Sequence, residues 1–139
     1  MEESLNSNKL SDKDASQYSP LSLAYIGDSV IDLMVKNHFV LASNKQTYKY
    51  HKDVTAVVKA VNQAKFVDSI MDELSTEELD IYKRGRNATT HSKAKNATMS
   101  EYRKATGLEA LFGYLYLVGD NKRISELTDR MISNYNTEH

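Results

Sequence analysis

The chain has 139 residues, 40% of them hydrophobic, which suits one domain built on one core. It contains no cysteine, so disulfides and thiolate metal sites are excluded and a reducing compartment is compatible. A net charge of −1 argues against a generic polyanion binder. The longest apolar stretch, Leu21 to Val35, is broken by Asp28 and Asp32 and falls short of the about 20 residues a membrane span needs.

Residues 1–18 are polar, with neither a basic n-region nor an apolar h-region, and do not read as a secretory signal. They are expected to form a flexible segment ahead of a single domain, 19–139, in a cytoplasmic protein. Ser19 followed by Pro20 is a helix start, with serine as N-cap and proline at the first helical position. Ile26, Val30, Leu33 and Met34 then repeat at helical spacing. The helix, apolar nearly all round, is expected to be central and to reach about Val40. Val54, Val57, Val58 and Val61 predict a second helix continuing through Phe66 and Ile70, with Tyr48 and His51 assigned to a short preceding helix. Ser75 to Glu78 is a capping box opening a short helix expected to end near Gly85. Arg86 to Thr98 lacks large apolar residues and reads as an exposed loop. Thr98 or Ser100 caps the next helix, whose buried side is Tyr102, Leu108, Leu111, Phe112 and Leu115 and which Gly119 to Asn121 ends. A last amphipathic helix carries Ile124, Leu127, Met131 and Ile132. The expected class is all-α, a bundle of five to seven helices.

Two carboxylates break this pattern. Asp28 lies inside Leu23-Ala24-Tyr25-Ile26-Gly27-Asp28-Ser29-Val30, and Glu109 inside Leu108-Glu109-Ala110-Leu111-Phe112-Gly113. Acids in core-patterned stretches are almost always paired or bound to a cation. Each sits beside a small residue, which points to two helices meeting closely around a hard cation such as Mg²⁺, with Mn²⁺ as a substitute. Asp28 is about two turns inside its helix, too deep to serve the helix dipole. Glu109 has a competing reading as an ion-pair partner of Arg103 or Lys104. Asp32, one turn beyond Asp28, reads equally as a group supporting the cation site or as a solvated acid. The four histidines lack zinc-ligand spacing.

Charge is unevenly spread. Ile81 to Lys104 carries a net +6, so the rest of the chain carries −7. Lys83, Arg84, Arg86, Asn87, Lys93, Lys95 and Arg103 are the candidate residues for binding a polyanion, supported by the hydroxyls of Thr89, Thr90 and Ser92, which suit phosphate oxygens; the resemblance given below implies that the polyanion is RNA. Cations at a helix C-terminus are a common structural feature, so Lys83 alone carries little weight. His91 is left without a role.

The two acidic strings, in this order and with Lys83-Arg84-Gly85-Arg86-Asn87-Ala88 between them, resemble the catalytic domain of ribonuclease III. The likeness is closest to the short bacterial branch that lacks the double-stranded-RNA-binding domain, mini-ribonuclease III, and runs from about Leu21 to Ile132. Full-length ribonuclease III enzymes carry a glutamate where this chain has Ala24 and an aspartate where it has Thr106; the short branch shares the sparser set. The resemblance implies a homodimeric, Mg²⁺-dependent endoribonuclease acting on double-stranded RNA, with 23S ribosomal RNA precursor as substrate and a ribosomal protein or pre-ribosomal particle as a further partner. It implies that Asp28 and Glu109 are the catalytic metal ligands. Two rivals stand beside it: a non-catalytic RNA-binding helical dimer, and a helical protein-interaction module.

Overall fold

The computed structural model describes residues 8–88 and 97–139; Lys93, Lys95 and His91, with the hydroxyl residues around them, lie outside the described residues. Among the described residues there are seven α-helices, one 3₁₀ turn (Met71–Glu73) and no strand, as the all-α expectation requires. No described helix is long and apolar enough to cross a membrane.

The polar run before Pro20 contains an element that the apolar pattern does not announce. Helix α1 (Asp12–Ser16) is capped by Ser11 and buries Ala15 completely. The Leu10 amide donates to Leu117 O at 2.8 Å, tying this segment to the body.

Helix α2 (Pro20–Ala42) starts as read, with Ser19 Oγ accepting from the Ser22 amide. Its position differs from expectation. Leu23, Val30, Ile31 and Val35 are buried, but Leu21, Tyr25, Leu33, Val40 and Leu41 face outward. The central helix is α6 (Met99–Val118), against which α2, α4 and α5 all pack. It carries an unbroken buried run from Leu111 to Leu115. Thr98 caps α6 in a full capping box with Glu101, and Gly119 ends it in the left-handed conformation at φ 78°.

The helix expected from Val54 to Ile70 is two helices. Helix α3 (Thr47–Val58) takes in Tyr48 and His51, Lys59 adopts extended backbone at ψ 152°, and α4 (Ala60–Ile70) follows. The break has a visible cause. The carbonyls of Val57 and Val58 lose their helical partners and accept instead from Asn62 Nδ2 at 2.6 Å and Gln63 Nε2 at 2.7 Å. Thr55, Val57 and Val58 are β-branched, which lowers the cost of ending the helix there.

Helix α5 (Thr76–Asn87) opens on the Ser75–Glu78 capping box and runs past Gly85. Gly85 is a packing position, not a stop: a Cβ there would meet Ala110 Cβ at 2.7 Å. Helix α7 (Asn121–Glu138) buries Ile124, Leu127, Met131 and Ile132 as expected. Arg123 on α7 donates to Glu78 Oε2 at 2.8 Å, and Arg130 pairs with Glu73, clamping α7 to the start of α5.

Candidate active site

Helices α2 and α6 meet backbone to backbone. A Cβ on Gly27 would lie 2.7 Å from the Glu109 carbonyl carbon and 2.8 Å from the Gly113 amide nitrogen, with the Glu109 carbonyl oxygen nearer still. Gly113 is closed off in the same way by the Leu23 carbonyl. Only two glycines in register permit this approach. Asp28 follows Gly27 directly and Glu109 sits at the point of closest contact, so the crossing sets how far apart the two carboxylates lie.

The two acids do converge. Glu109 is mostly buried, and its pKa is pushed up to about 8 by burial first, then by the Asp28 charge and a hydrogen bond shared with Asp28. A hydrogen bond from Gln63 on α4 works in the opposite direction, favouring the ionised form. Asp28 itself is at the exposed edge of the helix, not inside the core as its apolar surroundings suggested. The arrangement is a surface-open carboxylate over a buried one, and it holds one proton in place of a second charge.

This donor set fits a hard divalent ion. The crossing supplies two carboxylate groups at one point. Among the described residues no group of three or more His, Asp or Glu side chains gathers. The Glu109 carboxylate is engaged by Asp28 and Gln63, which answers the alternative of an arginine partner. Asp32 forms an exposed pair with Lys36 at 2.8 Å, one turn along its own helix. At the positions of the two departures, Ala24 is buried and Thr106 Oγ1 donates to the Tyr102 carbonyl at 3.0 Å.

The basic residues divide into two groups. Arg86, Asn87 and Arg103 line one shallow depression with Met99, Ser100 and Lys104, where the end of α5 meets the start of α6. Arg86 is held over the Tyr82 ring at 5.6 Å. Lys83 is exposed on α5. Arg84 points elsewhere: its guanidinium donates to the carbonyls of Ser16 at 2.5 Å and Tyr18 at 3.2 Å, so it fastens the segment between α1 and α2.

The Ribonuclease III domain profile matches residues 21–120. This chain belongs to the ribonuclease III family. Within that family it is similar to Mini-ribonuclease 3 of Clostridium tetani, with 40% identity over 88% of this chain and 82% of the relative. It is 39% identical to Mini-ribonuclease 3 of Staphylococcus aureus over 83% of this chain and 87% of that protein. A crystal structure of a Fusobacterium nucleatum protein superposes with a TM-score of 0.76 and 30% identity, covering 85% of this chain and 94% of that one. As a ribonuclease III family member the chain is an endoribonuclease, and the acidic crossing of α2 and α6 lies inside the matched domain.

Gln63 was not legible as a site residue in the sequence. The signal was the polar pair Asn62-Gln63 on the buried side of a helix pattern, where two amides stand among Val61, Ala64, Phe66 and Val67.

Proposed function

We propose that this ribonuclease III family enzyme cleaves double-stranded RNA in a Mg²⁺-dependent reaction and matures 23S ribosomal RNA precursor in the cytoplasm. The convergence of Asp28 and Glu109 at the glycine crossing carries the reading. These two carboxylates would hold the ion, which when bound supplies Lewis-acid stabilisation of the phosphate and lowers the pKa of water. Asp28, at the open edge, and Glu109, set further into the bundle, are the residues that would hold the ion. Glu109 must lose its proton to do so, and the hydrogen bond from Gln63 assists that loss. No protein nucleophile is required; the chain's task is to fix the scissile phosphate and its attacking water in one geometry.

Duplex RNA presents phosphates and 2′-hydroxyls more readily than base edges. Arg86, Asn87 and Arg103 gather where such a backbone can be met, and Lys83 adds charge on α5; Lys93 and Lys95 belong to the same basic stretch of sequence. The outward apolar residues of α2 support the homodimer. Tyr25 is 84% exposed and Leu41 78%, in a helix otherwise built for burial. Two-fold pairing along this face gives a dimer with two sites, and a ribosomal protein or pre-ribosomal particle is the further partner.

The test is incubation of long duplex RNA with Mg²⁺, with chelator, and with Asp28→Asn in place of the parent. Cleavage is expected only with the parent and Mg²⁺, while Asp28→Asn retains RNA affinity and folding. Cutting in chelator, or by Asp28→Asn, would remove the acid pair from the chemistry.

A further inference from the structure

Three cations line the depression between α5 and α6, and each is held differently. Lys104 is paired with Asp68 at 2.9 Å, and Arg103 is exposed. Arg86 is half-buried, with its guanidinium carbon 5.6 Å from the centre of the Tyr82 ring. Its Nε donates to Asn87 Oδ1 at 3.2 Å. Tyr82 stands one turn before Arg86 on α5, a spacing at which side chains on one helix meet. The ring has little room to shift. Tyr82 is 1% exposed, and a Cβ on Gly107 would stand 2.7 Å from two of its ring carbons and from its carbonyl oxygen. Gly107 belongs to α6, so the ring is wedged between the helix that carries Arg86 and the central helix of the bundle.

We infer that Tyr82 is a positioning residue for Arg86: its buried ring is the platform that holds the guanidinium in the α5–α6 depression, ready for a phosphate of the RNA backbone. The inference rests on the reading of Arg86 as an RNA contact. An arginine side chain is long and loses much rotational freedom when it meets a ligand. An aromatic ring attracts the cation and suits its flat shape, most strongly where water is kept away. Part of the ordering is then complete before RNA arrives. Leucine would occupy the same core position without that attraction, so packing alone does not call for a ring here.

The experiment measures duplex-RNA affinity by filter binding in chelator, at a temperature where every chain is folded. The parent, Tyr82→Phe, Tyr82→Leu, Arg86→Ala and the double variant Tyr82→Leu with Arg86→Ala are compared. Tyr82→Phe keeps the ring and is expected to bind like the parent. Tyr82→Leu is expected to bind about fivefold more weakly, the cost of ordering one long side chain on association. Its salt dependence should stay parental, because no charge is lost, whereas Arg86→Ala should flatten that dependence by about one unit of slope. The double variant should lose no more than Arg86→Ala alone, since a platform without its guanidinium has nothing to hold. With Mg²⁺ present, the Tyr82→Leu loss should appear in KM and not in kcat. A further readout needs no variant: the NMR order parameter of the Arg86 Nε–H in the RNA-free parent is expected to match that of Arg84, which two carbonyls hold. Parental affinity in Tyr82→Leu, equal losses in Tyr82→Phe and Tyr82→Leu, additive losses in the double variant, or a freely moving Arg86 in the parent would overturn the assignment of Tyr82 alone. Should Tyr82→Leu fail to fold, the order parameter decides. Parental affinity in Arg86→Ala would overturn it together with the reading of this surface as an RNA contact.

Discussion

Replacing Gly27 by alanine asks whether the backbone crossing sets the active-site geometry. The added Cβ would stand 2.7 Å from Glu109 C and 2.8 Å from Gly113 N, where real Cβ atoms stay beyond 3.0 Å. Every nearby atom belongs to the backbone of a buried helix, so no flexible side chain can swing aside. The helices must move apart, and overpacking of a rigid core usually costs about 1–3 kcal/mol; this site belongs at the upper end, about 3 kcal/mol. Activity should suffer more than stability. A displacement on the order of 1 Å at a reacting centre costs about 100-fold in rate, and the shift falls directly between Asp28 and Glu109. Urea unfolding would give the first number and single-turnover cleavage of duplex RNA the second, at a temperature where the variant is fully folded. A Gly27→Ala chain with parental stability and parental rate would show that the crossing is not the spacer described above.

Three other outcomes are expected. Glu109 has a folded-state pKa of about 8 against an ordinary 4.5, so the metal-free native chain retains a proton that the unfolded chain gives up. Its contribution to stability is therefore full below pH 4.5 and is lost as pH rises through about 8, by at most about 5 kcal/mol. Urea midpoints in chelator should fall over that window, Glu109→Gln should flatten the fall, and a parental slope in Glu109→Gln would refute it. Arg123→Ala strands the buried Glu78 carboxylate, whose partner it is at 2.8 Å, and should cost about 2–3 kcal/mol, read by thermal unfolding. Arg84→Ala should lower stability by about 1–2 kcal/mol with little change in RNA affinity, whereas Arg86→Ala should weaken RNA binding with little change in stability. Filter binding at two salt concentrations together with thermal unfolding separates them, and the reverse pattern would contradict the placement of the two side chains.

Local chemistry made much of this fold readable. Ser19-Pro20 and Ser75 to Glu78 are helix starts written in four residues or fewer, each where it was expected, and of the two caps open for α6 the chain uses Thr98. The acid pair was readable because charge inside a core pattern is rare. Tertiary effects were not. The break at Lys59 depends on Asn62 and Gln63 taking over two carbonyls, which no periodicity displays. Gly85 looks like a helix stop in sequence, yet it serves a close contact with α6 that only the assembled bundle reveals. Helix α1 buries one alanine, too small a signal to stand out in a polar run. The exposure of Asp28 follows from α2 lying at the side of the bundle, with α6 taking the centre.

The two hydrogen bonds from Arg84 to the Ser16 and Tyr18 carbonyls mean that the segment ahead of α2 and the basic C-terminal end of α5 are mechanically one piece. Trimming the protein back to Ser19 would thus do more than shorten it. The freed guanidinium would join the cations already gathered on α5, and the surface would become stickier towards polyanions just as that helix lost its buttress. Expression boundaries chosen only from the matched domain, which begins at residue 21, would make that change unawares.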